Sequence, residues 1–305
     1  MSLINLRNNV TNDLEQIYLP NEIFDDLKMN LDRTSSSHLG FAYCYYLLIS
    51  YLYRYCKYET DGVLLKQDDL KELLGYARKN KGIDYIIKDG GLLDNIGYTE
   101  STSDYPIAWE FAEDVTELSF YTIKDLKLSQ AMSVSINMRN YKIKRPVKAF
   151  KRYSFDELLT GTFYDISNTH CHNMELFFKA LESGIGVIGY YIYSYLMRMN
   201  SMYVNGYDEA WDALCIKTGI PSNTLNRYIH KLEENRFITV TRHTAFSLKN
   251  KGKKNLANSY YTSSPEEILL WLKTGIEPSS RPLSKISAKL LDSKPDPYEN
   301  YEFPY

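Results

Sequence analysis

Residues 218–238 read TGIPSNTLNRYIHKLEENRFI, and this stretch decides how the second half of the chain folds. Gly219 is placed to end one helix in a left-handed cap, and Pro221 bars that helix from continuing. Ser222 is a good N-cap for a new helix, in which apolar residues recur at helical spacing from Leu225 to Leu232. The stretch therefore predicts two helices joined by a tight turn.

The flanking residues complete a compact unit around this helix pair. Tyr207 to Lys217 is predicted to form the first of the two helices, and Met174 to Met199 a long core helix before it. After the pair, Phe237 to Thr241 and Thr244 to Leu248 alternate between apolar and polar residues, which predicts two strands. A further helix is expected from Pro265 to Thr274, ended by a glycine.

The chain resembles itself at a lag of 144 residues. SYLYR at 50–54 returns as SYLMR at 194–198, and Gly75 returns as Gly219. Self-similarity on this scale implies two copies of one folding unit, since solenoid repeats have periods of about 20 to 50 residues. In the first copy the core helix is expected from Leu39 to Tyr58, where nearly every residue is aromatic or aliphatic.

Length and composition agree with two units. At 305 residues, of which 44% are hydrophobic, the chain can bury two ordinary cores. We predict a mainly α protein with small β-hairpins, of the α+β class, with a short helix from Asn21 to Leu31. The predicted divisions are an N-terminal arm (1–38), a first domain (39–130), a basic linker with a strand pair (131–172), a second domain (173–277) and a flexible acidic tail (278–305).

Several classes of protein are disfavoured by the composition. No apolar run approaches the ~20 residues that span a bilayer, and Met1 to Val10 has no secretory signal pattern. We therefore expect a cytoplasmic protein without a membrane partner. The four cysteines form no Cys-x-x-Cys pair, which favours reduced, buried thiols over disulfides or a zinc site. No structural metal and no cofactor are expected.

The formal net charge of −2 conceals a segregated distribution. Seven basic residues and no acid lie between Arg139 and Arg152, and five more lie between Arg242 and Lys254. Eight acidic residues lie between Asp89 and Glu117. Contact with phosphate depends on the local field within about 8 Å, so basic runs can bind nucleic acid on an acidic chain. The alternative is that each run is a solvated face.

The stretch quoted above resembles the recognition segment of winged-helix DNA-binding proteins, in which a small-residue turn precedes a helix and an apolar strand follows. With two such units, the chain is similar to plasmid and phage replication initiators built from tandem winged-helix domains. The resemblance implies two winged helix-turn-helix domains. It also implies that the C-terminal domain reads repeated sites in DNA, while the N-terminal domain supports dimerisation.

The candidate DNA-binding residues follow from this arrangement. Arg227 is the best candidate for a base contact, because its planar fork matches guanine O6 and N7, and Asn223 or Asn226 could pair with adenine. The alternative is that Arg227 only pairs with Glu209 or another surface acid. The full set comprises Ser222, Asn223, Thr224, Asn226, Arg227 and Lys231 on the second helix, Arg242, Lys249, Lys251, Lys253 and Lys254 in the basic hairpin, Lys144, Arg145 and Lys148 in the linker, and Lys79 and Lys81 in the first domain.

The first copy departs from the pattern. Its helix pair is expected at Gln67 to Gly75 and Lys79 to Asp89, with Gly82 inside the second helix and an acidic hairpin after it. A negative hairpin is repelled by phosphate. We therefore assign the first domain a partner-facing or dimer-forming role, although Lys79 and Lys81 could still touch the DNA backbone.

One enzymatic alternative rests on His170-Cys171-His172, which superficially resembles the metal-binding strand of rolling-circle nickases. The fit is poor, since a helix that begins near Asn173 is expected to remove the strand that such a motif requires. Capping of that helix by Asn173 or Thr169 is the simpler interpretation. No phosphate-cradling glycine-rich loop is present in the sequence either.

Together these features predict a protein that is not an enzyme and that binds double-stranded DNA in a sequence-specific manner. The leading hypothesis is a plasmid or phage replication initiator, and a transcriptional regulator of a mobile element is the alternative. A metal-dependent nickase that uses His170 and His172 is a second alternative. The expected partners are double-stranded DNA, a second copy of the chain, and the replication or transcription machinery.

Overall fold

The computed structural model describes residues 15–31, 36–60, 63–111, 118–129, 141–153, 160–203, 205–242 and 257–276. About half of these residues are helical and about a fifth lie in strands, which confirms a mixed α+β protein with small antiparallel sheets. The helices are α1 (Ile23–Asn30), α2 (Ser36–Arg54), α3 (Gln67–Leu73), α4 (Asp84–Ile87), α5 (Leu92–Asn95), α6 (Ile123–Ser129), α7 (Val147–Phe150), α8 (Met174–Glu182), α9 (Gly186–Met202), α10 (Trp211–Thr218), α11 (Ser222–Glu234) and α12 (Pro265–Thr274). The strands are β1 (Gln16–Pro20), β2 (Glu59–Thr60), β3 (Val63–Leu64), β4 (Thr99–Thr102), β5 (Pro106–Phe111), β6 (Leu118–Thr122), β7 (Ile143–Pro146), β8 (Thr169–Asn173), β9 (Tyr207–Glu209), β10 (Ile238–Thr241) and β11 (Asn258–Thr262).

Helix α2 is the centre of the core. Every residue from Leu39 to Tyr53 is buried, because the helix is apolar or aromatic on all sides. It packs against α9, and at the crossing an added Cβ on Gly40 would lie 2.9 Å from the Val187 carbonyl oxygen. A side chain at this position would force the two helices apart. The prediction of a central core helix is confirmed, although the helix ends at Arg54 and not at Tyr58.

The helix expected from Met174 to Met199 is two helices, so this prediction was wrong. Helix α8 ends at Glu182, and α9 begins at Gly186. Gly184 and Gly186 have φ angles of +80° and +64°, which glycine adopts at little cost and which do not occur in the interior of a helix. Two glycines in three positions therefore turn the chain between α8 and α9.

The second half of the chain forms a sheet with the strand order β10-β11-β9. Residues 207–209, expected to be helical, form the edge strand β9, and the helix starts only at Trp211. The partner of β10 is Asn258–Thr262, while the strand expected at 244–248 lies outside the described residues. The helix at Pro265–Thr274 is confirmed, with Gly275 in its left-handed cap.

The N-terminal arm expected over residues 1–38 is, from Gln16 to Leu31, part of the core instead. Strand β1 pairs antiparallel with β8, and Ile17, Leu19 and Phe24 are buried. The short helix within it is confirmed. A single cluster of buried apolar residues runs from this segment through α2 and α9 into α11, across the predicted domain boundaries. Within the described ranges, no helix has the length and apolar character to span a bilayer.

Candidate functional site

Helix α11 presents one apolar and one polar face. Leu225, Ile229 and Leu232 are fully buried, so the helix is fixed against the core along one side. Its opposite side is open to solvent at Ser222, Asn223, Asn226, Arg227 and His230. The apolar spacing predicted from the sequence thus places the candidate reading residues on an exposed surface.

The turn before α11 is held by a side-chain contact that the sequence patterns did not predict. Gly219 has a φ angle of +71° and ends α10, as predicted. Ser222 is not the N-cap, since that position is Pro221; Ser222 is the first residue of the helix. Its hydroxyl accepts a hydrogen bond of 2.8 Å from the Trp211 indole nitrogen, which ties α10 to the start of α11.

Arg227 is exposed, and no acidic side chain of the described residues lies within ion-pair distance of it. Its guanidinium carbon lies 5.1 Å from the centre of the Tyr228 ring. Glu209, the partner proposed in the alternative interpretation, binds Lys217 instead. Arg227 therefore projects from α11 as a cation with its hydrogen-bond donors available to a ligand.

Two other candidate cations of this region contact the protein itself. Lys231 donates to the Gly184 carbonyl oxygen at 3.2 Å and also lies over the Tyr228 ring. Arg242 forms a bidentate ion pair with Glu233, with N–O distances of 2.9 and 2.6 Å, and this contact raises the pKa of Arg242. Asn223, Thr224 and Asn226 lie with Arg227 on α11, whereas Lys249, Lys251, Lys253 and Lys254 lie outside the described residues.

Three basic residues of the run at 139–152 pair with acids of the run at 89–117. Strands β4 and β7 pair antiparallel and set Glu100 opposite Arg145. Three ion pairs join the runs: Asp89–Lys142 (2.8 Å), Asp94–Lys144 (2.6 Å) and Glu100–Arg145 (2.9 Å). Opposite charges that are far apart along the chain are thus paired with each other at these three positions.

Lys144 is misassigned as a DNA-binding residue. Its side chain is 0% exposed, and its ammonium donates to Asp94 and to the Lys88 carbonyl oxygen, so it cannot reach a phosphate. Arg145 and Lys148 are partly exposed, but each lies near an acid, Lys148 at 4.0 Å from Glu22. In the described part of the linker, five cations each lie near an acid: Lys142, Lys144, Arg145, Lys148 and Arg152.

Lys79 and Lys81 are exposed, and they lie in the loop before α4. The helix expected at 79–89 is reduced to Asp84–Ile87. Gly91 packs so tightly that an added Cβ would lie 2.8 Å from two backbone carbonyl oxygens. The first unit therefore lacks a long, exposed second helix in its described part.

His170 and His172 lie on a strand, contrary to the expectation that a helix displaces it. Asn173 ends strand β8 and caps α8 by accepting from the Leu176 amide at 2.9 Å, which confirms the capping role. Both imidazoles point inward and are buried. Their Nε2 atoms lie 2.6 and 2.9 Å from the same hydroxyl, that of Tyr43.

The hydrogen bonds of this cluster assign both tautomers. Asn21 Oδ1 can only accept, so His170 donates from Nδ1 at 2.9 Å and its Nε2 accepts from the Tyr43 hydroxyl. The Tyr43 oxygen then accepts from Nε2 of His172, whose Nδ1 accepts from Tyr190 at 3.0 Å. Every donor has one acceptor when both histidines are neutral.

Burial lowers the pKa of both histidines, and that of His172 falls to about 3. The positive charge of Arg198, and the charge that His172 would carry if it were protonated, oppose protonation of His170 and lower its pKa further. In the part of the chain that the structure describes, no group of three or more His, Cys, Asp or Glu side chains could hold a metal ion. The histidine pair is thus a buried structural cluster, with Tyr43 a member that no spacing pattern indicated because it lies 127 residues away.

Comparison with known proteins gives no relative for this chain: no family model, no curated protein and no solved structure matches it. The fold and the geometry of α11 therefore carry the functional conclusion.

Proposed function

We propose that the protein binds double-stranded DNA in a sequence-specific manner through its second unit, as a plasmid or phage replication initiator. The observation that carries the proposal is the polar face of α11, where Arg227 stands exposed without an acidic partner among the described residues. A helix with this face, fixed to a core by its other side, fits the major groove.

The order of elements supports a winged-helix assignment for residues 186–262. A core helix (α9) is followed by a strand, the helix pair α10 and α11, and two strands, and the sheet has the order β10-β11-β9. The segment between β10 and β11 has the position of a wing, and it contains Lys249, Lys251, Lys253 and Lys254. We assign these lysines to phosphate contacts, which add affinity without sequence preference.

Binding to DNA changes the partners of two cations in this proposal. Lys231 has a single carbonyl acceptor, which a phosphate can replace at little cost. Arg242 has a bidentate carboxylate partner, so its role is to position the end of β10, and a phosphate contact requires Glu233 to be released. Base contacts are assigned to Arg227, Asn223 and Asn226.

The experiment is selection of bound duplexes from a random pool, followed by anisotropy titrations of the selected and a scrambled duplex. The parent protein is expected to prefer the selected duplex, and Arg227→Ala to lose about 1 to 3 kcal/mol of that discrimination. Arg227→Lys keeps the charge but not the bidentate fork, so it should retain affinity for the scrambled duplex and still lose discrimination.

Arg78→Ala is the matched control. Arg78 is an exposed arginine of the first unit that pairs with Asp69 and Glu72. The Arg78→Ala variant should bind the selected and the scrambled duplex with the affinities of the parent. The assignment of Arg227 is wrong if its alanine and lysine variants discriminate as well as the parent does, and the proposal fails if the protein does not bind duplex DNA at low ionic strength.

Initiator and regulator differ in the arrangement of their sites. Footprinting that protects several direct repeats on a self-replicating fragment supports the initiator, and protection of one inverted repeat at a promoter supports the regulator. Nicking through His170 and His172 is not proposed, since both Nε2 atoms face the Tyr43 hydroxyl inside the core.

A further inference from the structure

The acidic segment from Pro295 to Tyr305, with the sequence PDPYENYEFPY, has no part in the proposed function. It lies outside the described residues. It contains three carboxylates and no basic residue, and four aromatic residues are interspersed with the acids: Tyr298, Tyr301, Phe303 and Tyr305. DNA repels such a segment, whereas an exposed cation on a protein attracts it. The acidic segment therefore complements a positive protein surface.

The described chain leaves its last helix beside α11. The Arg236 guanidinium carbon, just after α11, lies 5.4 Å from the centre of the Trp271 ring on α12. The Ser263 amide, just before α12, donates to the Phe237 carbonyl oxygen at 3.0 Å. The last described residue is Ile276, and the acidic segment begins about 19 residues later. A chain of that length spans up to about 65 Å, while the 13 residues of α11 extend over about 20 Å, so all of α11 lies within reach.

The polar face of α11 is suited to carboxylates and to aromatic rings. Arg227 is exposed, and no acidic side chain of the described residues lies within ion-pair distance of it. The first turn of α11 contains no acidic residue, and the N-terminus of a 13-residue helix attracts negative charge. The Tyr228 ring beside Arg227 is partly exposed. A carboxylate can bind the edge of the guanidinium while an aromatic ring stacks on its face.

We infer that the acidic segment binds the polar face of α11 in the same chain and competes there with DNA. At an effective concentration of about 1 mM, a contact with a Kd of about 0.1 mM lowers the affinity for DNA roughly tenfold. The competition weakens the binding of every duplex by the same factor, so duplexes without base contacts are the first to stay unbound. Only this effect on DNA rests on the proposed function, because the contact itself is tested without DNA.

The first test is chemical cross-linking of the full chain in the absence of DNA. A water-soluble carbodiimide joins carboxylates to lysines that touch them, and Arg227→Lys supplies a reactive amine at the centre of the contact. Mass spectrometry should find peptides from 295–305 joined to position 227 and to Lys231. A mixture of isotopically labelled and unlabelled chains separates links within one molecule from links between two. Links only to lysines elsewhere in the chain, links only between molecules, or no links overturn the inference.

The second test is the affinity for DNA, measured by anisotropy with the selected and the scrambled duplex. Glu299→Gln/Glu302→Gln removes two of the three carboxylates and should tighten the binding of both duplexes by about fivefold. Glu110→Gln/Glu266→Gln is the matched control, since both residues are exposed and the net charge changes equally. The control should stay within about twofold of the parent. Circular dichroism checks that each variant is folded.

The inference and the proposed function fail in different ways. A chain that binds no duplex at low ionic strength contradicts the proposed function and the competition, while the cross-links still decide whether the acidic segment contacts α11. A chain that prefers the selected duplex but gains equally from the two double variants overturns the inference alone.

Discussion

The helix pairs α3–α4 and α10–α11 begin alike and end differently. Gln67 and Trp211, 144 residues apart, each begin the first helix, and each side chain donates a hydrogen bond to the second helix. Helix α11 then runs for 13 residues, while α4 has four. The same starting pattern can therefore give a long helix with an exposed polar face or a short packed turn, depending on the residues that follow it.

The two units also use their cations differently. On β7, which pairs with β4 of the first unit, Lys144 is buried against Asp94, whereas in the second unit Arg227 projects into solvent. A buried cation contributes to stability only through its partner, and an exposed one is available to a ligand. A basic run in a sequence therefore indicates a binding surface only once the acids that face it in the fold are known.

The largest effect is expected at Lys144. Lys144→Met leaves the Asp94 carboxylate without its cation, although Thr99 and Gly90 still donate to it. We expect a loss of about 3 kcal/mol in the free energy of unfolding, measured with urea. Lys231→Met is the counterpart in the second unit and should cost less than about 1 kcal/mol. Equal losses in the two variants would contradict the contrast between a buried and a surface cation.

The histidines that connect α2 to β8 and α9 should make the fold sensitive to acid. Both are neutral when folded because burial lowers their pKa, while an unfolded histidine titrates near 6.5. Above pH 6.5 both states are neutral at these positions, so the two buried histidines do not lower the free energy of unfolding. Below that pH the unfolded state takes up protons and the free energy of unfolding falls. The loss is up to about 2.7 kcal/mol per pH unit for two histidines, and His172 continues to contribute down to about pH 3.

Urea titrations between pH 7 and 5 measure this slope. His172→Gln removes one of the two titrating groups and should roughly halve the contribution of the pair. A slope unaffected by His172→Gln would mean that the cluster is already protonated or open in solution.

A smaller effect is expected at the glycines that follow α3 and α10. Gly75 and Gly219 have φ angles of +84° and +71°, so alanine at either position costs about 1 to 2 kcal/mol of backbone strain. An added Cβ at Gly75 meets nothing within 4 Å, whereas at Gly219 it lies 3.2 Å from Cγ of Lys28. We expect Gly219→Ala to be the more destabilising in thermal unfolding by a few tenths of a kcal/mol. If Gly75→Ala were the more destabilising, the contact between the added Cβ and Lys28 would not explain the difference between the two positions.

The smallest effect concerns the two side-chain links between helices. Trp211→Phe removes the indole donor to Ser222 and should cost about 1 kcal/mol of stability. Gln67→Met removes a longer bond, of 3.2 Å to the Ile87 carbonyl oxygen, and should cost less. Hydrogen exchange at α11 should increase in the tryptophan variant only. Faster exchange at α11 in both would argue that the units unfold together.

Local sequence patterns predicted much of the helical structure. The apolar spacing of α11 and the glycine cap at Gly219 are confirmed. Both could be predicted because helix periodicity and a left-handed glycine depend on only a few neighbouring residues. The prediction of a single helix over 174–199 was wrong. The pattern of apolar residues continues through Gly184 and Gly186, so it does not show the turn that these glycines form. The candidate site was therefore placed on α11, while the turn contact from Trp211 was missed.

Local sequence patterns alone predict the apolar face of α11 and the polar residues on its opposite side. Which charges remain available depends on the three-dimensional fold. Lys144 meets Asp94, 50 residues away, and Tyr43 meets His170, 127 residues away. Helix periodicity and turn geometry depend on residues close in sequence. The pairing of a charge, or the protonation state of a buried imidazole, depends instead on the segment that the fold brings within about 3 Å of it.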